Sequence, residues 1–186
     1  MREDLRIALA VTSWPVGRIQ ENLERTAHWT AKAAKNGAAL ICFPELNISG
    51  YANRGEMKRL AQPIPGPISH RVSALAVQEG ITILAGMAES DGRGRLFVSH
   101  LAAGPDGRIE IYRKTHIAPP ERNLFSRGGR VSVFEAAGAR YGIQLCYDAH
   151  FPELSTRMAL EGADILFFPH ASPRGTPEEK LRSWMR

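Results

Sequence analysis

The chain has 186 residues, of which 44% are hydrophobic and 23% charged, an ordinary composition for one globular domain with its own core. Its 24 Lys and Arg against 19 Asp and Glu leave a net charge of +5, but the basic residues are scattered and not interleaved with aromatics in a stripe, which argues against a nucleic-acid partner. No run of about 18 apolar residues is present to span a membrane, the stretch MREDLRIALAVT mixes acidic residues with its arginines unlike a secretory signal, and the 2 cysteines are too few for a disulfide framework; a cytoplasmic protein with both thiols reduced is expected.

In chain order, LRIALAV (5–11) predicts a strand, and the following segment, about 17–35, predicts a helix with Ile19, Leu23, Ala27, Ala31 and Ala34 on one face. AALICF (38–43) is a continuous apolar strand, and its lack of alternation implies burial on both sides. A helix over 68–78 stops at Gly80, and the strand ITILAGMAE (81–89) follows. The turns Asp91-Gly92 and Gly104-Pro105-Asp106-Gly107 separate strands over 95–103 and 108–114. VSVFEA (131–136) and RYGIQLCY (140–147) read as a hairpin about Ala137-Gly138-Ala139, followed by a helix over 153–160 and a buried strand, DILFFP (164–169). Helices interspersed with hairpins and buried strands indicate a mixed α/β layered domain rather than a purely parallel sheet.

This map puts three reactive residue types at strand ends, where α/β folds collect their sites. Glu45 follows AALICF, Lys114 ends RIEIYRK, and Cys146 ends RYGIQLC. Singly each has a plain structural reading: an inert packed thiol, a solvated loop carboxylate, an edge-strand charge. Cys42, inside an apolar run, keeps the packing reading. Together the three offer a base, a cation and a nucleophile.

The strings FPELNISGY (43–51), YRKTHIAPPERNLFSRGG (112–129) and GIQLCYDAHFPE (142–153) stand in an order and spacing that resemble the three signature blocks of the nitrilase superfamily, the carbon–nitrogen hydrolases. The resemblance covers essentially the whole chain. It implies a four-layer αββα sandwich and a catalytic set of Glu45, Lys114 and Cys146, with Glu121 at the place of a second glutamate found in amidase branches. Tyr147 and Asp148 after the cysteine are similar to the amidase and carbamoylase branches, whereas nitrile-cleaving members commonly carry Trp-Glu there. The expected reaction is hydrolysis of a small amide or N-carbamoyl substrate through a thioester, with no metal or cofactor required. The expected oxyanion donors are Lys114 and the backbone N–H of Tyr147. Tyr51, Asn123 and His170 are candidates for substrate binding, and Asp148 is expected to fix its loop by hydrogen bonds to backbone N–H groups.

Alternatives remain open: nitrile hydrolysis, or a scaffold or binding protein that keeps the hydrolase fold. A Cys-His hydrolase using His116, His150 or His170 lacks any local string in its support. At the C-terminus, Thr176, Pro177 and Glu179 form a helix start of the capping-box kind, yet the sequence stops at Arg186 without a C-cap. This predicts a sandwich short of its C-terminal strands, with unpaired edges that favour a homo-oligomer through the segment after Pro173 and the helix after Cys146.

Overall fold

Alternate residues of the apolar runs face opposite cores. In the computed structural model, which describes residues 4–171, the strand β1 (Ile7–Leu9) leads into the helix α1 (Ile19–Lys35) and the strand β2 (Leu40–Cys42). A short helix α2 (Met57–Leu60), which the sequence pattern did not predict, precedes α3 (Pro67–Glu79), β3 (Thr82–Ser90), β4 (Leu96–Ala103) and β5 (Ile109–Arg113). The hairpin β6 (Val133–Ala136) and β7 (Ala139–Ile143), the helix α4 (Pro152–Leu160) and β8 (Ile165–Phe167) complete the described elements.

Two sheets result. The first has the order β1-β2-β3-β4-β5, with β1, β2 and β3 parallel and the remaining neighbours antiparallel; the second has the order β6-β7-β8, in which β7 pairs antiparallel with β6 and parallel with β8. Ile41, Ile83, Ala85, Met87 and Leu101 join Leu23 of α1 and Val72 and Ala76 of α3 in one core. Their neighbours Leu40, Cys42, Leu84, Val98 and Ala102 meet Phe134, Tyr141, Ile143 and Phe167 of the second sheet in another. α4 covers the far face of β7, and just beyond that strand Gln144 Nε2 donates to Ser155 Oγ at 2.7 Å. The layers are therefore α1 and α3, first sheet, second sheet, α4, the expected αββα sandwich. Period two explains why a continuous apolar strand is needed in the middle layers: each face of the sheet has its own core to fill.

Two expectations need correction. The fully buried face of α1 consists of Asn22, Leu23, Thr26, Thr30 and Ala33, while Ala27, Ala31 and Ala34 are only partly covered. The helix is rotated because its polar stripe has buried hydrogen-bond partners, which apolar periodicity does not register. The strand expected to reach Cys146 ends at Ile143; Cys146–His150 is a 3-10 turn. The helix start at Thr176 lies outside the described residues. No helix among the described residues is long and apolar enough to cross a membrane.

Candidate active site

Glu45 lies in the loop after β2, and its path is set by contact with β3. A Cβ built on Gly86 would stand 1.8 Å from the Glu45 carbonyl oxygen, so only glycine lets the loop lie against this strand. The Gly86 carbonyl also accepts the Ile48 N–H at 2.9 Å, and its N–H donates to Asn47 Oδ1 at 2.8 Å. Lys114 follows β5 directly. Its carbonyl accepts the Gly128 N–H at 2.8 Å, and a side chain at Gly128 would strike the Arg113 carbonyl at 2.2 Å.

From these loops, three ionisable side chains converge in the interior. Lys114 Nζ donates to Glu45 Oε1 at 2.6 Å and to Glu121 Oε2 at 2.8 Å and Oε1 at 3.1 Å. Glu45 and Lys114 are fully buried, and Glu121 is 1% exposed. Glu121 sits on a 3-10 turn, Pro119–Glu121. It also accepts the Tyr51 hydroxyl at 2.8 Å and the Ala118 N–H at 3.1 Å. The second oxygen of Glu45 accepts the Ala171 N–H at 3.1 Å. Lys114 Nζ thereby stands within hydrogen-bond distance of three carboxylate oxygens.

Burial governs the electrostatics. It raises the Glu45 pKa above the ordinary 4.5 against the opposing pull of Lys114, which makes Glu45 a stronger base than a solvated glutamate. Burial acts to lower the pKa of Lys114, but Glu45, Glu121 and Cys146 outweigh it and hold the amine above its ordinary value. Lys114 therefore remains a cation. Burial, together with Glu121, Glu45 and Cys146, raises the Tyr51 phenol above its usual range, so Tyr51 acts as a neutral donor.

Cys146 is half-buried and held at φ +47°, the left-handed region seldom used by a non-glycine residue. Its N–H donates to the Pro169 carbonyl at 3.0 Å. The segment after β8 thus touches both the nucleophile candidate, through Pro169, and Glu45, through Ala171, with His170 between them. The Asp148 carboxylate holds the cysteine turn from below. It accepts Leu145 N–H at 3.0 Å at the start of the turn, Tyr112 Oη of β5 at 2.8 Å, and from the segment following β5 Thr115 Oγ1 at 2.9 Å and His116 N–H at 2.7 Å. The His116 ring stacks on Phe151 with centroids 3.6 Å apart. Asp148 thus reaches further than the local backbone bonds expected of it.

Glu45, Lys114, Glu121 and Tyr51 form one hydrogen-bonded cluster, and Cys146 is close enough to bear on the charge of Lys114 and Tyr51. Tyr147 is half-buried beside Phe151. Asn123 stands apart: it is exposed, two residues beyond Glu121, and takes no part in this hydrogen-bonded cluster among the described residues. Cys42 is a packed thiol, as expected, and burial pushes its pKa up to about 12. Sequence reasoning missed Asn22, Thr26 and Gly86, and the tie that Asn47 makes to α1 and β3; the polar i, i+4, i+8 row Asn22, Thr26, Thr30 was the available signal for the first two.

A family model described as carbon-nitrogen hydrolase matches residues 6–185. An (R)-stereoselective amidase from Pseudomonas sp is 32% identical over 162 residues, 87% of this chain and 58% of that protein. A nitrilase from Pyrococcus abyssi is 35% identical over 173 residues, 88% of this chain and 65% of that protein. The chain thus spans roughly three-fifths of the length of these relatives. The crystal structure of an amidase from Nesterenkonia sp. superposes with a TM-score of 0.83 at 25% identity, covering 92% of this chain and 67% of that one.

Proposed function

From the premise that this chain belongs to the carbon–nitrogen hydrolase family, we propose that it hydrolyses a small amide or N-carbamoyl compound through a thioester on Cys146. The observation that carries this reading is the buried cluster in which Lys114 bridges Glu45 and Glu121. A fixed charge balance of one cation and two carboxylates in the interior is costly to fold, and it supplies what thiol acylation needs.

Glu45, with its raised pKa, takes the Cys146 proton, and the sulfur attacks the carbonyl carbon of the substrate. Once protonated, Glu45 holds the ammonium of Lys114 less strongly, so one Lys114 N–H turns to the new oxyanion beside the backbone N–H of Tyr147. Glu45 returns the proton to the departing nitrogen as the C–N bond breaks. It then activates the water that cleaves the thioester, regenerating the thiol and releasing the acid. Glu121, steadied by Tyr51, keeps Lys114 charged and in place. His170 and the ring of Tyr51 contribute to the substrate pocket, and Asn123 acts from its rim. The setting is a cytoplasmic, reducing one that preserves the thiol.

The chain works as a homo-oligomer in this reading. β1 and β8 are edge strands among those described, and Leu9, Val11 and Leu160 are exposed, the kind of surface that associates. Light scattering reads the assembly directly. The function is tested by ammonia release over a panel of amides, carbamoyl compounds and nitriles, with Cys146→Ala as the blank. Release from an amide or carbamoyl compound that disappears in Cys146→Ala supports the proposal. Turnover of nitriles alone would replace it with nitrile hydrolysis, and no release from any substrate would favour a scaffold that retains the fold.

A further inference from the structure

We infer that Thr26 and Asn47 are positioning residues that hold the Glu45 carboxylate in register with Lys114, so that the outermost helix controls the site's base. This rests on Glu45 being that base.

The observations begin with α1. Thr26 is fully buried on the face turned toward the first sheet. Its Oγ1 donates to the Asn22 carbonyl at 2.8 Å, one helical turn back, and accepts Asn47 Nδ2 at 3.1 Å. Asn47 is two residues beyond Glu45 and 1% exposed. Its other arm, Oδ1, accepts the Gly86 N–H of β3 at 2.8 Å. Asn22 adds a second tie, its Nδ2 donating to the Ile48 and Pro15 carbonyls, each at 2.9 Å. The loop bearing Glu45 is therefore suspended between β3 and α1 by two side-chain amides and one hydroxyl.

These groups are costly to bury, and an apolar stripe would pack α1 as well. What the polar stripe adds is direction. An amide with both arms engaged permits one loop position, whereas apolar contacts allow sliding. Glu45 must meet Lys114 at 2.6 Å with one oxygen and the Ala171 N–H at 3.1 Å with the other. Misplacement of a reacting group by about 1 Å can cost about a hundredfold in rate.

Thr26→Val keeps the shape of the side chain and removes the hydroxyl. The expected result is a fall in kcat of about tenfold with KM unchanged within about twofold, and Thr26→Ser should restore kcat. Asn47→Ala, made as the second variant in case Thr26→Val does not fold, should show the same split. Thermal unfolding is followed alongside. In parallel, iodoacetamide alkylation of Cys146, resolved from Cys42 by peptide mass spectrometry, should slow in Thr26→Val and recover in Thr26→Ser, which gives a readout for a chain that turns over slowly. Loss of thermal stability with kcat and alkylation rate unchanged per folded molecule would overturn the inference and leave Thr26 as packing alone. The parent reading fails separately: Glu45→Gln would then retain both turnover and alkylation, and a positioning role toward the base would fall with it.

Discussion

The carboxylate of Asp148 accepts the backbone N–H of His116 at 2.7 Å, which sews the turn that starts at Cys146 to the segment that starts at Lys114. The two segments follow strands of different sheets, β5 and β7, so this contact helps to set how far apart Cys146 and Lys114 stand. Three further donors, Tyr112, Thr115 and Leu145, aim at the same carboxylate.

Asp148→Asn should therefore be far from neutral. An amide has one accepting oxygen, and its NH2 would face donors already in place, leaving buried N–H or O–H groups unpaired at about 1–3 kcal/mol each. Chemical denaturation should show a loss on the order of 3 kcal/mol, and ammonia release should fall more steeply in kcat than in KM. Unaltered stability would mean that the network repairs itself around the amide.

Lys114→Arg preserves charge but replaces a compact ammonium with a planar fork. The amine is fully buried, with oxygens at 2.6 and 2.8 Å on either side, so a guanidinium must displace Glu45 or Glu121. Most of kcat should be lost. Tyr51→Phe, which removes a single 2.8 Å bond to Glu121, should cost less, roughly tenfold or below. Near-normal turnover in Lys114→Arg would remove Lys114 from the oxyanion role.

The pH profile follows from Glu45. It accepts a proton only when ionised, and burial raises its pKa above 4.5, so the acid limb of kcat/KM should lie above the ordinary glutamate range. Stability has the opposite sign: between 4.5 and the raised value the folded chain holds a proton that the unfolded chain has lost, so this group's contribution declines as pH rises through that window. Glu45→Gln should remove both dependences, seen in pH-rate profiles and in unfolding free energies measured across the window.

His100, outside the hydrogen-bonded cluster of Glu45, Lys114, Glu121 and Tyr51, provides a counterweight. It is fully buried in β4, its Nε2–H donates to the Phe43 carbonyl at 3.2 Å, and burial lowers its pKa to about 4 from 6.5. Below pH 6.5 the unfolded chain binds a proton that the folded chain refuses, so stability is lost as pH falls toward 4. The full contribution is on the order of 3 kcal/mol. Because Glu45 acts with the opposite sign over part of that range, the measurement is the difference between wild type and His100→Gln. The stability of wild type minus that of the variant should fall steadily from neutral pH to about 4, and a flat difference would show that His100 does not titrate during unfolding.

Much of this protein was written along the chain. Strand and helix positions came from apolar runs and their punctuation: Gly80, for instance, does close α3 at φ 65°, because a left-handed position selects glycine by sterics that act within a single residue. Glu45, Lys114 and Cys146 stood out as reactive residue types at strand ends, and Glu121 was picked out by the resemblance of its string to the carbon–nitrogen hydrolases. Other features were decided by the assembled fold. The placing of the Cys146 turn against Pro169, the donors that reach Asp148 from Tyr112, Thr115 and His116, and the rotation of α1 that buries Asn22 and Thr26 all depend on partners 20 or more residues away. Apolar periodicity reports how strongly a residue avoids water. It carries no information about which distant amide or carbonyl will satisfy a buried polar group, and it is that pairing, made only when the two sheets and the outer helix close on one another, that aims the cluster.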